Sequence, residues 1–140
     1  MVLAPDSKLK IASQTENISL VEKLIDDVCK HYKINEDHYG NIWIALTEAV
    51  NNAIYHGNKS DPCKMVEVAF RSNADEVLTF TVKDEGKGFN PDNLPDPTDP
   101  EHIAEPTGRG VFLMRNLADK VEFFDEGRTV AMSFNVKAKN

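Results

Sequence analysis

Three short stretches of this chain carry residue types whose spacing suits phosphate and nucleotide chemistry. The first is Asp84-Glu85-Gly86-Lys87-Gly88. It closes a run in which Leu78, Phe80, Val82 and Asp84 fall on one face at period two, with Val77, Thr79, Thr81 and Lys83 on the other. Asp84 is therefore expected on the buried face, where a carboxylate is costly unless donors reach it. Gly86 and Gly88 leave bare backbone beside it, where a flat ligand can approach. A sunken carboxylate next to bare backbone suits an adenine amino group; an ordinary Asp-Glu-Gly turn would use the same residues.

The second stretch is centred on Glu48 and Asn52. At about 100° per residue, with Ile42 at zero, Ala45, Leu46, Ala49, Val50, Ala53 and Ile54 form an apolar arc. Glu48 falls at about 240° and Asn52 at about 280°, one turn apart at its border. His56 continues that edge and reads as a capping residue beside Gly57, whereas Asn51 points away. A carboxylate and a carboxamide so placed offer oxygens to magnesium, or a proton acceptor to a water or hydroxyl. A solvated polar edge is the alternative. The third stretch, Gly108-Arg109-Gly110, precedes a helical pattern; it presents free N–H groups and a positive dipole end to a phosphate, or is simply a flexible loop end.

These residues need particular elements to hold them. A short strand is expected at about 8–13, followed by a helix with Ser19 at its N-cap and Glu22 completing a capping box. Val21, Leu24, Ile25 and Val28 carry that helix to about Lys33. A second helix spans about 37–56 and ends at Gly57 as a C′ residue. Strands at about 64–71 and 76–84 follow, then a third helix at 111–118 with Val111, Met114 and Leu117 on one side. Strands at 120–124 and 129–136 are joined by a turn at Asp125-Glu126-Gly127. Between them, 89–107 holds five of the seven prolines and five acids against no Lys or Arg, which reads as a lid or a disordered loop. The segregation of helices and strands predicts an α+β, two-layer sandwich: a mixed, mostly antiparallel sheet with about three helices on one face.

The order Glu-x-x-x-Asn on a helix, Asp-x-Gly-x-Gly after a strand, a long loop, then Gly-x-Gly at a helix resembles the N, G1 and G2 boxes of the GHKL (Bergerat-fold, histidine-kinase-like) ATPase superfamily. Within it, Glu48-Ala-Val-Asn-Asn52-Ala-Ile-Tyr-His56-Gly57 and the run from Gly108 to Asp119 look most like the anti-sigma-factor serine/threonine kinases. That resemblance implies ATP and Mg2+ as cofactors, with Asn52 as the magnesium ligand and Glu48 as the base orienting the acceptor hydroxyl. It implies that Asp84 binds the adenine amine, with Gly86 and Gly88 giving the ring room. Thr107, Gly108 and Gly110 would fold over the phosphates, with 89–107 as lid and Lys87 and Arg109 as phosphate contacts. The lid's acidity departs from expectation, because it would repel a triphosphate unless its carboxylates face outward. The resemblance further implies a sigma factor held inactive, an antagonist protein phosphorylated on Ser or Thr, and a homodimer.

Length and composition narrow the field. With 140 residues the chain fits one domain, 1–140, with a substantial core. Its net charge of -7 argues against a general nucleic-acid binder and against an anionic membrane surface. No signal-peptide pattern or membrane-length apolar run is present, and Cys29 and Cys63 form no CxxC pair, so a cytoplasmic protein with reduced structural thiols is expected. The rival functions are a nucleotide-holding partner switch without phosphotransfer, a simple GHKL ATPase, and the catalytic half of a histidine kinase, the last disfavoured by the lack of a phosphoacceptor helix region.

Overall fold

A computed structural model describes residues 6–73, 77–88 and 106–136, with the side chains of Asp6, Asn73 and 106–109 outside that description. The proposed lid at 89–107 therefore lies outside the described residues, except for the backbone of its last two.

Alternation writes the sheet. Val66, Val68 and Phe70 of β2 (Met65–Asn73), Leu78, Phe80 and Val82 of β3 (Val77–Lys83), and Val130, Met132 and Phe134 of β5 (Thr129–Asn135) are all buried. They face one way at period two and form one cluster with the apolar residues of the helices. With β1 (Asp6–Ala12) and β4 (Lys120–Phe124), the strands are ordered β1-β2-β3-β5-β4. All four pairings are antiparallel, so among the described residues the sheet is antiparallel throughout, not mixed as expected. The α+β sandwich expected from the sequence is the fold. Among the described residues no helix is long and apolar enough to cross a membrane.

The helices differ from expectation at their ends. A 3-10 turn at Thr15–Asn17 leads into α1 (Ile18–His31), so Asn17 rather than Ser19 is the N-cap. Ser19 already lies in the first turn and its Oγ donates back to Glu16 O at 3.0 Å, so the expected capping box does not form. Helix α2 (Glu36–Asn52) starts at a true cap, Asn35, whose Oδ1 accepts from His38 N at 2.9 Å. It does not end on a left-handed Gly57. Instead it widens into a π turn, Ala53–Gly57, closed by Asn58 N donating to Ala53 O at 2.8 Å. The left-handed residues come later, at Lys59 and Ser60. Helix α3 (Pro106–Leu117) begins five residues before the expected position, so Gly108-Arg109-Gly110 lies within its first turns rather than ahead of it.

Of the two thiols, only Cys29 is in the core, where burial, then the neighbouring Asp26 charge, pushes it up to about 11. Cys63 is exposed, so the structural role expected for both holds for one.

Candidate functional site

The end of β3 fixes Asp84. Its backbone N–H donates to Arg128 O at 3.0 Å, just before β5 begins. The side chain turns inward, half-buried, and Oδ1 accepts the Gly86 N–H at 2.8 Å. Burial holds this carboxyl above its ordinary 3.8; the Gly86 N–H, the Arg128 guanidinium and Lys64 pull it back, and Asp125 pushes it up again. A carboxylate held at that cost in a cleft marks a functional-site candidate.

Asp84 opens onto a cavity of about 240 Å³. Helix α2 and its π turn supply Ala49, Asn52, Ala53, His56 and Gly57; α3 supplies Val111 and Met114. Val82, Val130 and Phe123 complete an apolar wall from the sheet, with Gly88, Gly127 and Arg128 at the rim. Apolar walls with a few convergent polar groups are what a flat heteroaromatic ligand requires. His56 sits in this wall with its pKa lowered, by burial and then by the nearby Lys59 charge.

Several glycines here stand in close approach to their neighbours. A Cβ on Gly57 would lie 2.4 Å from the Asp84 carboxyl carbon, and one on Gly86 would lie 2.0 Å from Gly57 O. One on Gly110 would lie 2.4 Å from Asn52 Nδ2, because α3 packs directly against the face of α2 that carries Asn52. These contacts are protein packing that bare backbone permits; they seat Gly57, the Asp84 turn and α3 closely against one another around the cavity.

The structure thus brings together Asn52, Asp84 and Gly88 at one cavity, with Gly86 and Gly110 packed behind them. Glu48, one turn before Asn52, is half-buried but does not line the cavity. Lys87 is exposed. Thr107, Gly108 and Arg109 belong to the first turn of α3, their side chains outside the described residues. Sequence reasoning missed Arg128 and Met114 at the cavity, and Asn58, whose side-chain oxygen accepts the Glu85 N–H behind it. The Met114 signal was its place on the apolar side of α3; the other two depend on strand pairings that no local pattern reveals. Among the described residues no group of three or more His, Cys, Asp or Glu side chains could hold a metal. A divalent ion held by Asn52 would therefore take its remaining ligands from water and nucleotide oxygens, which is magnesium's usual habit.

A family model described as the histidine kinase-like ATPase domain matches residues 11–134. The chain belongs to that family. Its membership in the GHKL superfamily, expected from the three boxes, holds. Among curated proteins it is similar to the serine-protein kinase RsbW of Bacillus subtilis (strain 168), 29% identical over 133 residues, covering 90% of this chain and 82% of that one. It is likewise similar to RsbW of Bacillus licheniformis, 28% identical over 138 residues with the same coverage. Among solved structures, that of the RsbU and RsbW domains of a Mycobacterium tuberculosis protein superposes with a TM-score of 0.68 at 14% identity. That alignment covers 95% of this chain and 32% of the other, so this chain spans about a third of the length of that one. The likeness bears on the fold.

Proposed function

We propose that this chain is an ATP-dependent serine/threonine-protein kinase acting as an anti-sigma factor. On this reading, residues 1–140 are a single ATPase domain in the cytoplasm that moves a phosphoryl group from ATP to a Ser or Thr of an antagonist protein. The observation that carries the reading is the half-buried Asp84 facing the same cavity as Asn52, in a chain similar to RsbW serine-protein kinases.

Each residue then has a defined task. Asp84 accepts a hydrogen bond from the adenine amine while the walls from Val82 to Met114 exclude water from the ring. Asn52 would hold magnesium, which when bound would supply positive charge beside the phosphates. Glu48 orients the acceptor hydroxyl and takes its proton. Lys87 and Arg109 contact phosphate, and Thr107, Gly108 and Gly110 lie against it. Purified protein, labelled ATP, magnesium and candidate antagonist proteins test the reading directly: label on a partner supports it, and none on any partner sinks it.

One observation favours a second reading. Because Glu48 does not line the cavity, a switch that binds nucleotide and holds a sigma factor without transferring phosphate fits the same site. In that case the label stays on ATP while nucleotide still changes partner affinity.

Asp84→Asn separates binding from stability. The folded state holds the Asp84 proton more tightly than the unfolded chain does, so its stabilising contribution is whole below 3.8 and is lost as pH rises through the higher folded value. At neutral pH the ionised carboxylate is therefore a cost. In the Asn variant the Gly86 N–H fixes Oδ1, leaving Nδ2 facing the adenine amine, donor to donor. ATP affinity should fall by about tenfold or more, while the melting temperature without nucleotide holds or rises at pH 7. Calorimetric titration showing undiminished affinity would refute the adenine role.

A further inference from the structure

Two side chains outside the three boxes grip the turn that presents Asp84. Asn58 is fully buried. Its Nδ2 donates to Ser13 Oγ at 2.8 Å and to Met65 O at 3.0 Å, which orients the amide so that Oδ1 accepts the Glu85 N–H at 2.7 Å. From the other side, Arg128 Nε donates to Gly86 O at 2.7 Å. The guanidinium is itself steadied by Asp125 O at 3.1 Å, Asp125 Oδ1 at 3.4 Å and Glu126 Oε2 at 3.5 Å.

Counted along the chain, the turn has little freedom left. The N–H of Asp84 goes to Arg128 O, that of Glu85 to Asn58 Oδ1, and that of Gly86 to the Asp84 carboxyl. The Gly86 carbonyl goes to Arg128 Nε. Three successive amides are pinned, two by partners far away in sequence, and the last bond is made by the carboxylate that faces the cavity. An ordinary Asx turn would supply only that last bond. The extra partners restrict where the carboxylate can point, which matters to a ligand that must meet it within hydrogen-bond reach.

We infer that Arg128 and Asn58 are positioning residues that clamp the Asp84–Gly86 turn from opposite sides and so set the site's selectivity for purines bearing a 6-amino group. This rests on the nucleotide reading above. Arg128 is well suited because it joins two roles: its backbone carbonyl anchors Asp84, and its side chain anchors Gly86 while lining the cavity. A lysine there would offer a single point donor in place of the guanidinium fork.

The experiment compares the affinities of the wild-type chain and Arg128→Met for ATP and for purine riboside triphosphate, which lacks the 6-amino group. The Arg128 side chain is 28% exposed, so methionine keeps its aliphatic stem without emptying the core. Arg128→Gln, with a single amide nitrogen and no guanidinium fork, is measured alongside in case the methionine variant does not fold. The ratio of the two affinities should be large in the wild type and fall by about tenfold in the variant. If both nucleotides weaken alike and the ratio stays, Arg128 is only structural and the inference is overturned. A wild-type chain with no preference between the two nucleotides would instead overturn the adenine role of Asp84, a different failure from the first.

Discussion

Glu48→Gln should slow phosphoryl transfer by about 10²–10⁴-fold, the usual contribution of a positioned base, and change ATP affinity by less than about twofold. The separation follows from where the residue stands. Glu48 is on α2, one turn before Asn52, outside the set of side chains that walls the cavity. Removing its charge leaves the apolar walls, the Asp84 contact and the Gly110–Asn52 packing intact. What it removes is a carboxylate on the same helical edge as the proposed metal ligand, where an incoming hydroxyl must be oriented. Single-turnover transfer to an antagonist, measured beside equilibrium binding, reads both quantities. Transfer at the wild-type rate would take Glu48 out of the mechanism, and a matched loss of binding would make it a ligand contact instead.

Gly110→Ala should cut transfer by at least about 10²-fold, the worth of several kcal/mol of metal-assisted charge stabilisation, without unfolding the protein. Helix propensity runs the other way: alanine in a helix gains about 1 kcal/mol over glycine. Glycine stays at this place in α3 because a Cβ would stand 2.4 Å from Asn52 Nδ2 and 3.2 Å from Oδ1. The obstructing atoms are the end of a side chain, so the amide can rotate away and the fold survives. The result is an Asn52 turned from its proposed ligand position. Asn52→Ala should then be nearly as severe, and the double variant little worse than either, the non-additivity expected of two groups serving one function. Full activity in Gly110→Ala would mean that the Asn52 amide has no fixed place in the chemistry.

The features legible in the sequence were those written locally. Alternation from Val77 to Asp84 is imposed by the pleat, so it gave both β3 and the inward aim of Asp84. The 3.6-residue period likewise placed Asn52 at the edge of the buried stripe of α2. Chain ends of elements were less readable. Ser19 has the composition of a cap, but a 3-10 turn had already started the helix before it. The Gly-x-Gly pair looked like a loop because two glycines depress helix propensity; packing against Asn52 overrides that preference and the helix runs through them. Arg128 and Asn58 were not legible at all. Their roles exist only once β5 lies beside β3 and the start of β2 comes up against the end of β3, pairings set by the whole sheet.

The π turn at the end of α2 makes this region sensitive to chain length as well as to side-chain identity. Its ring from Ala53 to Asn58 holds one residue more than an α turn would. Losing any one of these residues would restore the ordinary spiral and swing all that follows by about 100°. Gly57 would leave its seat under the carboxylate and Asn58 would no longer reach Glu85, however well each neighbouring residue were preserved.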